Sequence, residues 1–170
     1  MNIPDLNWQF HQFETLDTYA LFDLMKLRVD VFVVEQACAY PELDALDTAS
    51  DTMHLLGYKN HALIAYARAI PPVCQHSCVN DVHNRQSVRI GRVVVAREHR
   101  AHGIARSMMH QLIERIQSAY PELDQTLAAQ TTVQALYAAM GFTTISDVYL
   151  EDGIAHIDMR RNFAPLITRC

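Results

Sequence analysis

The chain has 170 residues, half of them hydrophobic and 19% charged, with a formal net charge of −5. That length suits one sizeable core rather than two, and no apolar run reaches the ~20 residues that a bilayer demands. The acidic total argues against nucleic acid as a general partner, because phosphate backbones reward basic proteins.

The opening MNIPDLNWQF has neither a basic start nor an apolar signal core, so the expected compartment is the cytoplasm. NWQFHQFET, residues 7–15, alternates as a strand does. Asp17 or Thr18 can cap the helix that follows through YALFDLMKLRVDVF, whose apolar face is Leu21, Leu24, Met25, Leu27 or Arg28 at its edge, Val31 and Phe32. Arg28 can also serve as an ion-pair partner that fixes the end of this helix. EQACAYPELDALDTASD, residues 35–51, reads as a turn-rich acidic loop. Its Glu42, Asp44, Asp47 and Asp51 can attract a cationic amine, although such loops are more often simply solvated. The orientation of His54, just beyond the loop, stays open.

MHLLGYKN and HALIAYARAI form a hairpin pair around residues 59–61. Pro71-Pro72 ends the second strand, and a polar connector reaches Gln86. Within it CQHSC carries Cys74, His76 and Cys78, followed by His83. Structural zinc usually takes two close-spaced Cys or His pairs. With no second cysteine pair the stretch reads as a loop, and no metal is expected. The four cysteines, Cys38, Cys74, Cys78 and Cys170, read as free thiols.

SVRIGRVVVA, residues 87–96, has the Val/Ile density of a buried strand. The helical stripe Ile104, Met108, Leu112, Ile113 and Ile116 ends at Pro121. A strand at 126–129, a helix at 132–140 closed by Gly141, and two strands, FTTISDVYLED and GIAHIDMRRNF, complete the chain. The order is strand, helix, three strands, helix, strand, helix, two strands. It predicts one mixed α/β (α+β) domain over residues 1–170, without repeat or linker.

The chemistry concentrates in VVVAREHRAHGIA, where a buried strand, a basic turn and a helix N-terminus follow one another. Free first-turn amides favour an anion, Gly103 lets a backbone approach closely, and Arg100 and Arg106 can add charge-assisted bonds. On these features alone a small polyanion site and a solvated basic turn are equally good readings.

Arg100-Ala101-His102-Gly103-Ile104-Ala105 resembles the Arg/Gln-x-x-Gly-x-Gly/Ala signature of the Gcn5-related N-acetyltransferases (GNAT). LRVDVFVVEQACAYPELD, RIGRVVV, LYAAMGF and EDGIAHIDM are similar, in order, to segments of the ElaA-like branch. The resemblance implies a single-domain GNAT fold, with a central mixed, mostly antiparallel sheet splayed between two parallel strands and flanked by helices. It implies an N-acetyltransferase that moves the acetyl group of acetyl-CoA directly to a primary amine in a ternary complex. Residues 100–106, including Arg106, would face the pyrophosphate and 3′-phosphate, and the main chain at Val93 and Val95 would pair with pantetheine. An amide near Val95 would polarise the thioester carbonyl as its oxyanion forms.

Tyr137, four residues before Gly141, would protonate the departing thiolate, though Val133, Leu136, Tyr137 and Met140 equally make a core face. Glu35 is the first candidate base and His156 the second. The acceptor implied is a small-molecule or peptide amine, with no nucleic acid and no membrane, and the resemblance allows a homodimer. Transfer through Cys38, an acyl-homoserine-lactone-synthase-like reaction suggested by Arg28-x-x-x-Phe32, and a non-catalytic CoA-binding module are the alternatives. Many relatives carry glycine where Ala101 stands. A left-handed backbone there would cost alanine roughly 1–2 kcal/mol.

Overall fold

The structure is a computed structural model that describes residues 6–72 and 87–163; Cys74, His76, Cys78, His83 and Cys170 lie outside the described residues. Eight strands form one mixed sheet: β1 (Asn7–His11), β2 (Met53–Lys59), β3 (Ala62–Ile70), β4 (Ser87–Val95), β5 (Asp124–Gln130), β6 (Thr143–Thr144), β7 (Tyr149–Glu151) and β8 (Ile154–Arg161). Among the described residues three complete α-helices accompany them: α1 (Thr18–Arg28), α2 (Ile104–Ala119) and α3 (Gln134–Ala138). The strand order is β1-β2-β3-β4-β5-β8-β6, with β7 also on β8. Every pairing is antiparallel except β4 with β5.

Strand alternation sorts the core into two layers. On β3, Ala65, Ala67 and Ala69 face the side covered by Ile104, Met108, Met109, Leu112, Ile113 and Ile116 of α2. Their small side chains let that long helix lie close to the sheet. Tyr66 faces the other side and packs with Leu56 and Val94 beneath Leu24 and Leu27 of α1 and Val31 just beyond it. Each such buried aliphatic side chain contributes about 1.5–3 kcal/mol. Asp17 is the cap of α1, its carboxylate accepting the Ala20 N–H at 2.8 Å. Asn60 and His61 turn the β2–β3 hairpin with φ of 49° and 67°, the left-handed pair that a two-residue turn requires.

Several boundaries differ from the sequence expectation, each for a local reason. β1 ends at His11 because Phe13–Thr15 close a 3-10 turn. The first helix runs on beyond Arg28 as a π-helical segment, Val29–Glu35, sealed by a Gln36 N–H bond to Val31 O of 3.0 Å. FTTISDVYLED is two short strands rather than one. The Ser146 hydroxyl takes the Asp158 N–H at 2.9 Å and interrupts the ladder between β6 and β7.

Three carboxylates of the acidic loop, Glu42, Asp44 and Asp47, are held in ion pairs rather than left to solvent. Arg28, fully buried, donates from Nε to Glu42 Oε1 (2.6 Å) and from Nη1 to Asp47 Oδ1 (2.7 Å). Arg68 of β3 donates from Nη1 to Asp44 Oδ1 (2.8 Å) and Asp47 Oδ1 (2.5 Å). Arg92 of β4 pairs with Glu42 (2.9 Å) and Asp44 (3.4 Å). Burial pushes the Asp47 carboxyl up, but the Arg28 hydrogen bond and the Arg68 charge hold it below its usual range. His54, 1% exposed, donates from Nε2 to the Asp47 carbonyl (3.0 Å) and accepts at Nδ1 from the Tyr66 hydroxyl (2.8 Å). The acidic loop is thereby clamped to the strands at three arginines.

Two measurements follow. An added Cβ at Gly57 would overlap the Trp8 ring opposite it, with Cε3 only 2.9 Å away. Gly57→Ala is expected to lower stability by about 1–3 kcal/mol, read by urea unfolding followed through Trp8 fluorescence. Burial depresses His54 from 6.5 to about 4, so between these values the unfolded chain binds the extra proton. Stability is full above pH 6.5 and should fall by about 3 kcal/mol as the pH drops to 4. His54→Gln should flatten that slope in pH-dependent denaturation.

Candidate active site

Parallel strands β4 and β5 pair for only three residues, Ser87, Val88 and Arg89 with Asp124, Gln125 and Thr126. Beyond Arg89 they part. A β-bulge at Arg92 (φ 54°) sets Tyr66 opposite Val94 and Arg68 opposite Gly91, turning the upper half of β4 away. The opening is a cleft of about 500 Å³ lined by both strands, the end of α1, α3 and β8. The Ala96 N–H donates to Ile64 O at 2.8 Å. Strand alternation therefore turns the peptide groups of Val93 and Val95 towards the opening rather than towards β3.

β4 runs through a 3-10 turn, Arg97–His99, into α2. Ala101 stands at φ 63° and Gly103 at φ 78°, so the backbone reverses twice in three residues before the helix begins. No side chain caps α2 at Gly103, which leaves the first-turn amides of Ile104, Ala105 and Arg106 with the positive end of the helix dipole. The Ile104 side chain is buried in the core, whereas His102 and Arg106 are exposed. Ile104 thus anchors the turn, and Ala105 reaches the cleft wall.

Arg100 and Glu35, expected in separate roles, meet as a bidentate pair of 2.6 and 2.9 Å. Arg100 Nε also donates to Val95 O at 2.9 Å, tying the end of β4 to the end of the first helix. The Arg100 hydrogen bond holds the Glu35 carboxyl below its usual range, which makes it a weak proton acceptor. His156 lines the same cleft from β8. Its Nδ1 donates to Ile154 O at 2.9 Å and its ring stacks on Tyr149, so in the neutral ring Nε2 is the acceptor nitrogen.

Tyr137 of α3 is 6% exposed, edge-on to Phe142, and lines the cleft. Burial pushes its hydroxyl up to about 12, so it keeps its proton at neutral pH. Core packing and access to the cleft coexist in this one residue. Cys38 also lines the cleft, but its Sγ lies 3.5 and 4.0 Å from the carbonyls of Gln36 and Asp152.

Sequence reasoning did not single out Arg68, Arg89, Gly91 or Arg92, all of which line the cleft. Their signal was present as arginines inside otherwise apolar strands, in YARAI and VRIGRV. Among the described residues no cluster of His, Cys, Asp and Glu suits a metal, and no helix is long and apolar enough to cross a membrane.

The family model described as an acetyltransferase (GNAT) domain matches residues 42–163. A UPF0039 protein of Schizosaccharomyces pombe is 40% identical over 93% of this chain and 98% of its own. The crystal structure of Escherichia coli ElaA is 35% identical, covers 93% of this chain and 100% of its own, and superposes with a TM-score of 0.83. The structure of an acyl-CoA N-acyltransferase from Pseudomonas aeruginosa gives 36% identity, 92% and 99% coverage, and the same TM-score. An acyl-homoserine lactone synthase solved with SAM and isopentyl-CoA, 15% identical with a TM-score of 0.72, shares the fold.

The left-handed backbone at Ala101 is the strain that its sequence position foreshadowed. Ala101→Gly relieves about 1–2 kcal/mol of native strain and returns about 0.5–1 kcal/mol in unfolded-chain entropy. A net stabilisation of up to about 1 kcal/mol is expected in chemical denaturation.

Proposed function

The chain belongs to the acetyltransferase (GNAT) family and is an acyltransferase, and from that premise we propose that it moves the acetyl group of acetyl-CoA to a primary amine by direct transfer in a ternary complex. The observation that carries the reading is the opening between β4 and β5. It brings backbone facing outward at Val93 and Val95, a protonated tyrosine and a histidine with a free acceptor nitrogen to one cleft. The basic turn and the uncapped start of α2 lie at its end. The acceptor is a small-molecule or peptide amine.

Acetyl-CoA supplies the thioester. Its pyrophosphate suits the first-turn amides of Ile104, Ala105 and Arg106 and the cation of Arg100, and its pantetheine amides suit the peptide group of Val93 and the N–H of Val95, whose carbonyl Arg100 already holds. The Val95 N–H polarises the carbonyl under attack. The neutral amine nitrogen bonds to the carbonyl carbon, His156 Nε2 accepts the proton that this nitrogen sheds, and the C–S bond breaks. The Tyr137 hydroxyl gives its proton to the leaving sulfur. Glu35 serves as the partner that orients Arg100, because a carboxylate held acidic by an arginine accepts a proton poorly.

A thiol-release screen over a panel of amines tests the reading. Tyr137→Phe and His156→Asn are each expected to lower kcat by about 10²-fold or more with CoA binding intact, while Glu35→Gln and Cys38→Ser stay within a few-fold of wild type. CoA stabilisation without thiol release from any amine would leave a CoA-binding module instead. A large loss in Glu35→Gln and none in His156→Asn would exchange the two roles.

A further inference from the structure

The arginines in and behind the cleft wall are not equivalent. Arg68 and Arg92 of the wall and the buried Arg28 behind it are matched by Glu42, Asp44 and Asp47 in mutual ion pairs, three cations against three anions. Arg89 stands outside this balance. It lies on β4 opposite Ile70, at the last paired position before the strands part, and lines the cleft. Its side chain makes no ion pair or hydrogen bond with another described residue. Burial and the neighbouring Arg68 charge push its guanidinium below the usual arginine range, yet an arginine remains a cation at neutral pH.

Four neighbours bear on what such a cation can hold. Arg68 Nε, in the same wall, is buried without a hydrogen-bond partner. Gly91, two residues along the same face of β4, leaves its space open, since an added Cβ would meet nothing within 4 Å. At the rim Glu151 and Asp152 are exposed and face the same cleft. Glu151 acts on Arg89 only through its charge, without a bond. A half-buried cation with unspent donors beside open space, under a carboxylate-bearing rim, complements a molecule with an anionic group at one end and an amine at the other.

We propose that the acceptor is an amino-carboxylate, its carboxylate held by Arg89 at the root of the β4–β5 opening and its amine presented towards His156. The proposal rests on the acetyltransfer reading for the fate of the amine and on the Arg89 geometry for the recognition of the anion. The two parts fail separately.

The test uses the full chain saturated with CoA and matched probes that differ by one carboxylate: lysine with cadaverine, ornithine with putrescine, phenylalanine with phenethylamine, and glycylglycine with its amide. At least one carboxylated member should raise the melting temperature where its partner does not. The shift should vanish in Arg89→Gln and survive in part in Arg89→Lys. In thiol release with acetyl-CoA the same member should exceed its partner by about 10- to 100-fold in kcat/KM, a ratio that Arg89→Gln collapses mainly through KM. Stabilisation of Arg89→Gln by CoA alone reports that the variant is folded; should it not fold, the matched pairs on wild type and Arg89→Lys decide. Equal stabilisation by both members of every pair, no stabilisation by any carboxylated probe, or a shift undiminished in Arg89→Gln overturns the proposal. Arg89-dependent binding without thiol release would overturn acetyl transfer and leave the anion site standing. Thiol release from amines regardless of carboxylate or of Arg89 would do the reverse.

Discussion

Two parallel strands that begin as neighbours and then separate leave peptide groups with nothing to bond, and buried peptide groups need partners. β4 and β5 separate after Arg89 and Thr126, so everything nearby either satisfies those groups or leaves them for a ligand. The bulge at Arg92 increases the turn of β4. Arg100 takes up the Val95 carbonyl, and the Gln36 and Gln130 side chains, 3.3 Å apart, meet across the top of the opening. The remaining free backbone faces the cleft.

A sheet opened in this way needs reinforcement on the side where its strands diverge, and the ion network supplies it. Arg28, Arg68 and Arg92 come from a helix and two strands, yet all converge on the single loop bearing Glu42, Asp44 and Asp47. Buried pairs of this kind are poor sources of net stability, because desolvation offsets most of their Coulomb energy. What they supply is position, since removing one member strands a buried charge. The Arg28 guanidinium over the Tyr66 ring at 5.5 Å and the His54–Tyr66 hydrogen bond extend the same clamp into the core. The charge balance of the clamp is also what makes Arg89 conspicuous.

Periodicity revealed the elements with strong hydrophobic repeats. The stripe of α2, the alternation of β3 and the Val-rich β4 all formed as their patterns implied, because each buries a face that only one geometry can bury. Weakly patterned segments were harder. The helix beyond Arg28 is held by an i→i+5 bond, and the β6–β7 break depends on the Ser146 hydroxyl reaching β8. Neither leaves a period in the residues themselves. Tyr137 was visible, but whether it packed or faced a cavity was not; it does both.

By itself the sequence determined the order of the main elements, the basic turn with Gly103 at its centre and the family, while the left-handed backbone that makes alanine costly at position 101 came from the fold. Those three follow from local propensity, from side-chain volume and from motif spacing, all of which are properties of adjacent residues. The tertiary structure alone decided the pairings across distance: Glu35 with Arg100 over 65 positions, Arg68 with Asp44 over 24, and an Arg89 side chain with no partner among the described residues. A charge in a sequence carries no record of which opposite charge it will meet. Only the fold, by pairing some guanidiniums with carboxylates and leaving Arg89 beside the cleft without a side-chain partner among the described residues, makes identical residues unequal.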